Sequence, residues 1–329
     1  MSASEILAPP SARALLARMA GQRVLVVGDV MIDEWIWGSV TRISPEAPVP
    51  VVSVTDHSFT LGGAGNVANN LRALGARVGF AGVVGADAEA DRLRGLFDAI
   101  DVDHTALVAD RNRPTTRKTR VVAHNQQVVR ADWESVALVD AETRERLCAF
   151  VADAAPRYDA VILSDYAKGL FSREIVQACS AARIVVADPK PSNLDFFSGV
   201  TCAAPNEHEA ALATGVTIVD DASLERAAQL LLARLGCRYV VITRGEHGMA
   251  LYGRAGEHLM VPAVARTVYD VSGAGDTVVA VLTLALAAGA SIDTAVRLAN
   301  YAAGAVVEKL GTATASPDEI VALVGESHG

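Results

Sequence analysis

Short apolar runs that stop on a glycine or an acid recur along this chain, and they limit the fold more than any other feature. Arg23-Val24-Leu25-Val26-Val27-Gly28-Asp29 is rich in β-branched residues and carries no polar alternation, so it reads as an inner strand buried on both faces. It ends where ligands bind in open α/β sheets. Val78–Val83, Tyr158–Leu163, Arg183–Ala187 and Tyr239–Thr243 repeat that character. Helical patterns run over Ala64–Leu74, Ala88–Ile100, Glu142–Ala154, Arg173–Ala181 and Leu224–Leu235, and later over Thr277–Ala288 and Thr294–Val307. Ser316-Pro317-Asp318-Glu319 offers a cap, a first-turn proline and a capping-box glutamate for a last short helix. This alternation predicts an α/β fold with a mostly parallel central sheet flanked by helices.

A chain of 329 residues with 51% hydrophobic and 20% charged residues can bury a full core, and we expect a single domain over residues 1–329. The net charge of -9 argues against a nucleic-acid partner. The first twenty residues carry no extended apolar stretch, and the run near Val278–Ala290 is too short to cross a bilayer. A cytoplasmic protein without a membrane partner is therefore expected. Cys148, Cys179, Cys202 and Cys237 form no CxxC pair and suit core positions in a reducing compartment.

The alternation breaks twice. Pro48–Val54 is a proline-bounded strand, while Lys118–Ala123 and Gln127–Arg130, separated by His124-Asn125-Gln126, resemble a hairpin. Segments at about 34–60 and 111–132 either form a small β-sheet lid over the ligand edge or extend the main sheet.

Chemistry is carried by Asp270-Val271-Ser272-Gly273-Ala274-Gly275-Asp276-Thr277. Two glycines and a carboxylate precede a long apolar helix, so the amides of Gly273, Ala274 and Gly275 are placed to meet negative charge. Asp276 is placed to take a proton from an attacking hydroxyl. The alternative is a glycine turn whose acid merely complements the helix dipole. Gly63-Ala64-Gly65-Asn66-Val67-Ala68 matches GxGxxA, but it follows a weak strand, Ser58–Gly62, well beyond the first turn at Gly28–Asp33. A dinucleotide site is not expected there, and no GxxxxGK[ST] loop occurs. Small residues at Gly62–Asn66 instead permit close approach to a polyol, or form a turn with no ligand. Arg111, Arg113, Arg117, Lys118, Arg120 and Arg130 lie in one stretch without Asp or Glu, and that local charge favours an anionic substrate over a neutral sugar.

Gly62-Gly63-Ala64-Gly65-Asn66-Val67-Ala68-Asn69-Asn70-Leu71 with Leu74-Gly75, followed far downstream by Asp270–Thr277, resembles the two signatures of the ribokinase-like carbohydrate kinase family over nearly the whole chain. Gly28–Asp33, Arg42–Pro50 and Leu163–Gly169 are similar to its heptose 7-phosphate kinase subgroup. The resemblance implies ATP-dependent phosphorylation of D-glycero-β-D-manno-heptose 7-phosphate at C1 by a stand-alone kinase, with Mg²⁺ as cofactor and a homodimer as the assembly. It implies Asp276 as general base, and Asp33, Gly63, Asn66 and Asp165 as partners of sugar hydroxyls. Arg42, Lys118, Arg120 and Arg130 would face the substrate phosphate. Thr243, Gly245 and Gly248 would line the nucleotide phosphates, Asn300 and Ala303 the adenine, and Asn206 and Glu209 would hold hydrated Mg²⁺. Lys190 is expected either on ATP phosphate or in an ion pair. Another sugar kinase of the same fold, or a non-catalytic sugar-phosphate-binding regulator, are the alternatives.

Overall fold

A computed structural model describes residues 7–124, 126–265 and 267–326. In chain order the elements are α1 (Pro9–Met19), β1 (Arg23–Gly28), β2 (Val30–Ile43), β3 (Pro50–Gly63), α2 (Ala64–Ala73), β4 (Arg77–Gly85), α3 (Ala88–Asp98) and β5 (Asp103–Asp110). There follow β6 (Arg117–Ala123), β7 (Gln126–Trp133), α4 (Ala141–Ala154), β8 (Ala160–Ser164), α5 (Arg173–Ala178), β9 (Val185–Asp188), β10 (Cys202–Ala203), α6 (Glu207–Thr214) and α7 (Asp221–Leu235). The last part comprises β11 (Tyr239–Thr243), β12 (Met249–Gly253), β13 (His258–Val261), α8 (Ala274–Ala287), α9 (Ile292–Val307) and α10 (Pro317–Glu326).

One sheet runs β13-β12-β11-β10-β9-β8-β1-β4-β5 and is parallel from β11 to β5, with two antiparallel strands at one edge. β1 shows why it is central. Val24 and Val26 enter the core shared with α1, α2, α8, α9 and α10, while Leu25 and Val27 enter the opposite core with α4, α5 and α7. Strand alternation sends successive side chains to opposite faces, so an unbroken apolar run signals helices on both sides. The capping box expected before the last helix is present, with the Ser316 hydroxyl accepting from the Glu319 amide and the Glu319 carboxylate accepting from the Ser316 amide. Cys179, Cys202 and Cys237 are buried and Cys148 is half-buried.

The second sheet, β3-β2-β6-β7, is where the sequence reading needs correction. Gly28–Asp33 is not a turn into a helix; only Asp29 separates β1 from β2, a 14-residue strand that carries the chain straight into this sheet. The strand expected at Pro48–Val54 continues to Gly63, so the glycine-rich segment does join a strand to a helix, though the strand belongs to the small sheet. β2 and the middle of β3 were hidden because Glu34, Thr55, Asp56, His57 and Ser58 interrupt any apolar pattern. The hairpin is present as β6 and β7, with His124 in the left-handed region (φ 51°); Asn125 lies outside the described residues.

Packing is tightest where β1 passes under α2. A Cβ on Gly28 would lie 2.5 Å from both the Ala64 Cβ and the Ser164 carbonyl oxygen. Gly28→Ala is expected to cost about 1–3 kcal/mol through overpacking, read as a lower urea midpoint; an unchanged midpoint would mean that α2 moves aside freely.

Candidate active site

The carboxyl ends of the parallel strands converge on one edge, and the polar residues that follow them meet there. Asp29 follows β1, Asp165 and Tyr166 follow β8, Asp188 ends β9 with Lys190 just beyond it, and Asn206 and Thr243 lie side by side, bridged in parallel, beyond β10 and at the end of β11. α8 arrives from the other side. Gly273, in the left-handed conformation (φ 78°), is its N-cap and supplies no side-chain acceptor. Ala274 gives its amide to the Val271 carbonyl, but no acceptor among the described residues takes the amides of Gly275 or Asp276. A helix start with open N–H groups attracts anions through both hydrogen bonding and its dipole.

Asp276 sits in this first turn, 6% exposed. The Asn66 side-chain amide donates to one of its oxygens at 2.7 Å and the Tyr166 hydroxyl donates to the other at 2.5 Å. Asn66 is itself fixed from α2: the Asn70 amide donates to the Asn66 carbonyl (2.9 Å), and the Thr277 hydroxyl donates to Asn70 (2.8 Å). The glycine at 273 is required by this arrangement, because a Cβ there would stand 2.6 Å from the Asn66 amide nitrogen. Burial pushes the Asp276 carboxyl up to about 6; the bonds from Tyr166 and Asn66 and the Lys190 charge pull the other way, and Asp33 adds to the rise. A carboxylate so placed can accept a proton near neutral pH.

Lys190 donates to Glu209 at 2.5 Å, lies 4.0 Å from Asp188, and places its ammonium 5.5 Å from the Tyr166 ring centre. Burial disfavours its charge, yet Asp188 and Glu209 hold it above the usual lysine range. Asp188 is raised to about 7, chiefly by burial. Asn206 and Glu209 form a complete capping box at the start of α6. Their all-oxygen donor set suits a hydrated hard cation, and among the described residues no group of three or more His, Cys, Asp or Glu is arranged to hold a metal directly.

Several expected site residues occupy other positions. Asp165 is fully buried, and its oxygens accept from the Ala167 amide, the Lys190 amide and the Asn193 side chain. It ties the β8 and β9 loops together rather than offering an oxygen to a sugar. Arg42 lies nine residues along β2 from Asp33, roughly 30 Å at strand rise, at the far end of the small sheet. The basic stretch, read as uncompensated, is matched by acids outside it. Lys118 pairs with Asp132 and Glu134, Arg120 with Asp33, Arg130 with Asp132, and Arg113 with Asp110. Strand alternation also divides it: the pairs Asp33–Lys118, Trp35–Arg120 and Arg120–Arg130 are in register on one face, while Arg117 turns to the other, meeting Glu34, Glu89 and the Trp133 ring. Asn300 is 4% exposed and gives its amide to the Pro262 carbonyl, so it clasps the exit of β13 to α9 rather than forming an open wall; Ala303, farther along α9, is half-buried against the same core. Gly245 has open space around it, whereas Gly248 is packed against the β13 backbone.

Gly62 and Gly63 keep their expected close approach, since a side chain on Gly62 would run into the Asp33 carboxylate and one on Gly63 would come within 2.7 Å of the Asp29 carbonyl. Beyond Asp33, a cleft of about 660 Å³ is lined by the stacked Trp35 and Trp37 indoles, Thr60, Asp270 and Leu310–Ala313. Sequence reasoning did not assign roles to Tyr166, Asp29 or Asp188. Asp29 holds the loop after β8 by accepting from the Tyr166 and Lys168 amides, and burial, then the Asp165 charge, raises it to about 6.

Four buried aspartates, Asp29, Asp165, Asp188 and Asp276, thus have folded-state values above the ~4 of an unfolded aspartate, in each case chiefly through burial. Their contribution to stability is full below the unfolded value and is lost as pH rises through about 6 for Asp29 and Asp276 and about 7 for Asp188. The urea midpoint of the ligand-free protein should therefore rise between about pH 8 and about pH 5.5; a midpoint that falls over that interval would contradict these environments.

Comparison with known proteins agrees with the geometry. The pfkB family carbohydrate kinase signature matches residues 22–319. The bifunctional protein HldE of Desulfatibacillum aliphaticivorans is 51% identical over 305 residues, 91% of this chain and 62% of that protein. HldE of Geotalea uraniireducens is 46% identical over 319 residues, 95% and 65% respectively. The chain thus spans less than two thirds of the length of either relative. Among solved structures, the fold is shared with Arabidopsis thaliana ribokinase complexed with ribose and ATP (TM-score 0.71, 19% identity, 92% of this chain and 99% of that one). It is shared also with Escherichia coli phosphofructokinase-2 in complex with fructose-6-phosphate (TM-score 0.74, 20% identity, 93% and 99%). No helix among the described residues is long and apolar enough to cross a membrane. With a family match over most of its length and a buried acid at an uncapped helix start, the chain belongs to the pfkB family of carbohydrate kinases.

Proposed function

We propose that the protein transfers the γ-phosphoryl group of ATP to the C1 hydroxyl of D-glycero-β-D-manno-heptose 7-phosphate, giving the 1,7-bisphosphate used in lipopolysaccharide precursor synthesis. The observation that carries the chemistry is Asp276, buried and doubly hydrogen-bonded in the first turn of α8 beside open amides. In this reading the acceptor hydroxyl gives its proton to Asp276 as its oxygen bonds to the γ-phosphorus and the bond to the ADP oxygen breaks. The amides of Gly275 and Asp276 meet the charge on the moving group. Lys190, Thr243 and Gly245 lie at the strand ends where the nucleotide phosphates would run. Asn206 and Glu209 would hold hydrated Mg²⁺, which supplies charge neutralisation to the phosphates when bound.

The choice of acceptor rests on the relatives named HldE and on the Gly28–Asp33, Arg42–Pro50 and Leu163–Gly169 segments, which resemble the heptose kinase subgroup. Asp33 and Gly63 are the groups we assign to the hydroxyls, with Asn66, fully buried and bonded to Asp276 and Asn70, holding Asp276 toward them. Lys118, Arg120 and Arg130, on the same face of the small sheet, we assign to the substrate phosphate. Each of these cations already has an acid partner, so phosphate binding becomes an exchange of partners and not the filling of an uncompensated field. The small sheet would act as the lid that excludes water. Its open edges, β3 and β7, make a homodimer part of the same reading.

Asp276→Asn should leave MgATP and sugar-phosphate binding measurable while cutting turnover roughly 10²-fold or more; near-normal turnover would remove Asp276 from the base role. In a panel of sugars scored by ADP release, with the product phosphate located by NMR, the heptose 7-phosphate should be preferred over neutral ribose and over hexose phosphates and phosphorylated at C1. Preference for a neutral sugar would overturn the substrate, and tight binding of sugar phosphates without ADP release would overturn the kinase reading.

A further inference from the structure

Among the described residues, Tyr166 is the one whose hydroxyl donates to Asp276, and its surroundings serve a purpose that core packing does not explain. It lies at the carboxyl end of β8, in a loop held at the backbone by two buried acids. Asp29 accepts the Tyr166 amide at 2.8 Å and the Lys168 amide at 3.1 Å, while Asp165 accepts the Ala167 amide at 2.7 Å, with Ala167 in the left-handed region (φ 54°). A backbone conformation that costs free energy for a residue with a Cβ, clamped from both sides, fixes the direction of the ring. The ring meets the Lys190 ammonium at 5.5 Å, and its hydroxyl ends 2.5 Å from Asp276.

We propose that Tyr166 is a positioning residue for phosphoryl transfer: its hydroxyl holds the Asp276 carboxylate ionised and aimed, and its ring ties that carboxylate to the Lys190–Glu209 pair on the nucleotide side. The inference rests on the kinase reading for its consequence in turnover, but not for the contact itself. Asp276 has two donors. Asn66 is immobilised by α2 through Asn70 and Thr277, so it fixes one carboxylate oxygen. Tyr166 fixes the second, and with both oxygens held the plane of the carboxylate cannot rotate. Each oxygen keeps a lone pair, and the proton of the acceptor hydroxyl goes to one of these. Tyr166 keeps its own proton throughout: burial and the adjacent Asp276 charge raise its hydroxyl well above the usual tyrosine range. It therefore donates at every working pH and does not compete as the base.

The charged groups around Asp276 come from three elements. Asp33 lies on β2, Asp188 ends β9 with Lys190 beyond it, and Tyr166 follows β8; Lys190 and the Tyr166 bond favour the ionised form, while Asp33 disfavours it. Asp188, itself raised chiefly by burial, feels the Asp276 charge and shares the Lys190 charge. Loss of the Tyr166 hydroxyl removes a donor from a buried carboxylate and leaves the others in place, so Asp276 should hold its proton to higher pH.

Tyr166→Phe tests this, because it keeps the buried ring and removes one oxygen. The carboxyl band of Asp276, identified by its loss in Asp276→Asn, would be titrated by infrared difference spectroscopy in ligand-free protein, so that the readout needs no substrate. The wild-type midpoint should fall near 6 and the Tyr166→Phe midpoint at least about one unit higher. Turnover of the heptose 7-phosphate at about pH 6 should drop roughly fivefold or more and recover toward wild type as pH is raised past the new midpoint, with nucleotide binding unchanged. An unshifted carboxyl midpoint would overturn the proposal whatever the activity. A shifted midpoint in a protein that turns over no sugar phosphate would uphold the contact and its effect on Asp276, and overturn only the kinase reading.

Discussion

The hydrogen bond from Asn66 to Asp276 joins parts of the chain 210 residues apart, and the site depends on it. It couples the start of α2, which the small sheet delivers through β3, to the start of α8, which carries the open amides. Because both ends are buried, an unmade bond would leave a desolvated amide facing a desolvated carboxylate, a penalty of about 1–3 kcal/mol or more. Asn70 and Thr277 continue the contact along both helices. The result is a polar seam inside an apolar interface, and such seams favour one relative placement of two helices over nearby alternatives.

Two consequences follow from that seam. The glycines become intelligible as clearance, since Gly62 makes room for Asp33, Gly63 for the Asp29 carbonyl and Gly273 for the Asn66 amide. The acids likewise divide by task. Asp29 and Asp165 serve the backbone of the loop after β8, Asp188 and Glu209 retain Lys190, and Asp276 alone combines a place in the first turn of α8 with partners that leave it a lone pair. Burial, and to a lesser degree the neighbouring acids, raises Asp29, Asp188 and Asp276, and the Lys190 charge offsets part of that rise at Asp188 and Asp276.

What could be read in the sequence depended on how local the cause was. β1, β4, β8, β9 and β11 are buried on both faces, and continuous apolar runs reveal such strands without any knowledge of neighbours. β2 and β3 gave no such sign, because one face of the small sheet meets the cleft and much of its length is exposed. The segment Asp270–Thr277 was legible because glycine and acid placement at a helix start is local chemistry. Asp165 and Arg42 were assigned to hydroxyls and phosphate by the family resemblance, but their direction is decided by tertiary placement: one turns inward to close a loop, and the other is carried away by strand length. Tyr166 escaped notice for the opposite reason, since an aromatic residue beside a core strand reads as packing. The basic stretch looked uncompensated only in one dimension, as its acids lie at Asp33, Glu34, Glu89, Asp110, Asp132 and Glu134.

The central claim is that the α2–α8 seam presents Asp276 to an acceptor hydroxyl held between the small sheet and the strand ends. A crystal structure with the heptose 7-phosphate, Mg²⁺ and a non-hydrolysable ATP analogue tests it most directly. The account predicts an Asp276 oxygen within hydrogen-bond reach of the C1 hydroxyl, about 2.6–3.2 Å, the terminal phosphate on the far side of that hydroxyl against the Gly275 amide, and the Asn66 contact intact. A closed complex in which Asp276 faces neither the sugar nor the terminal phosphate, or in which Asn66 has left it, would contradict the account.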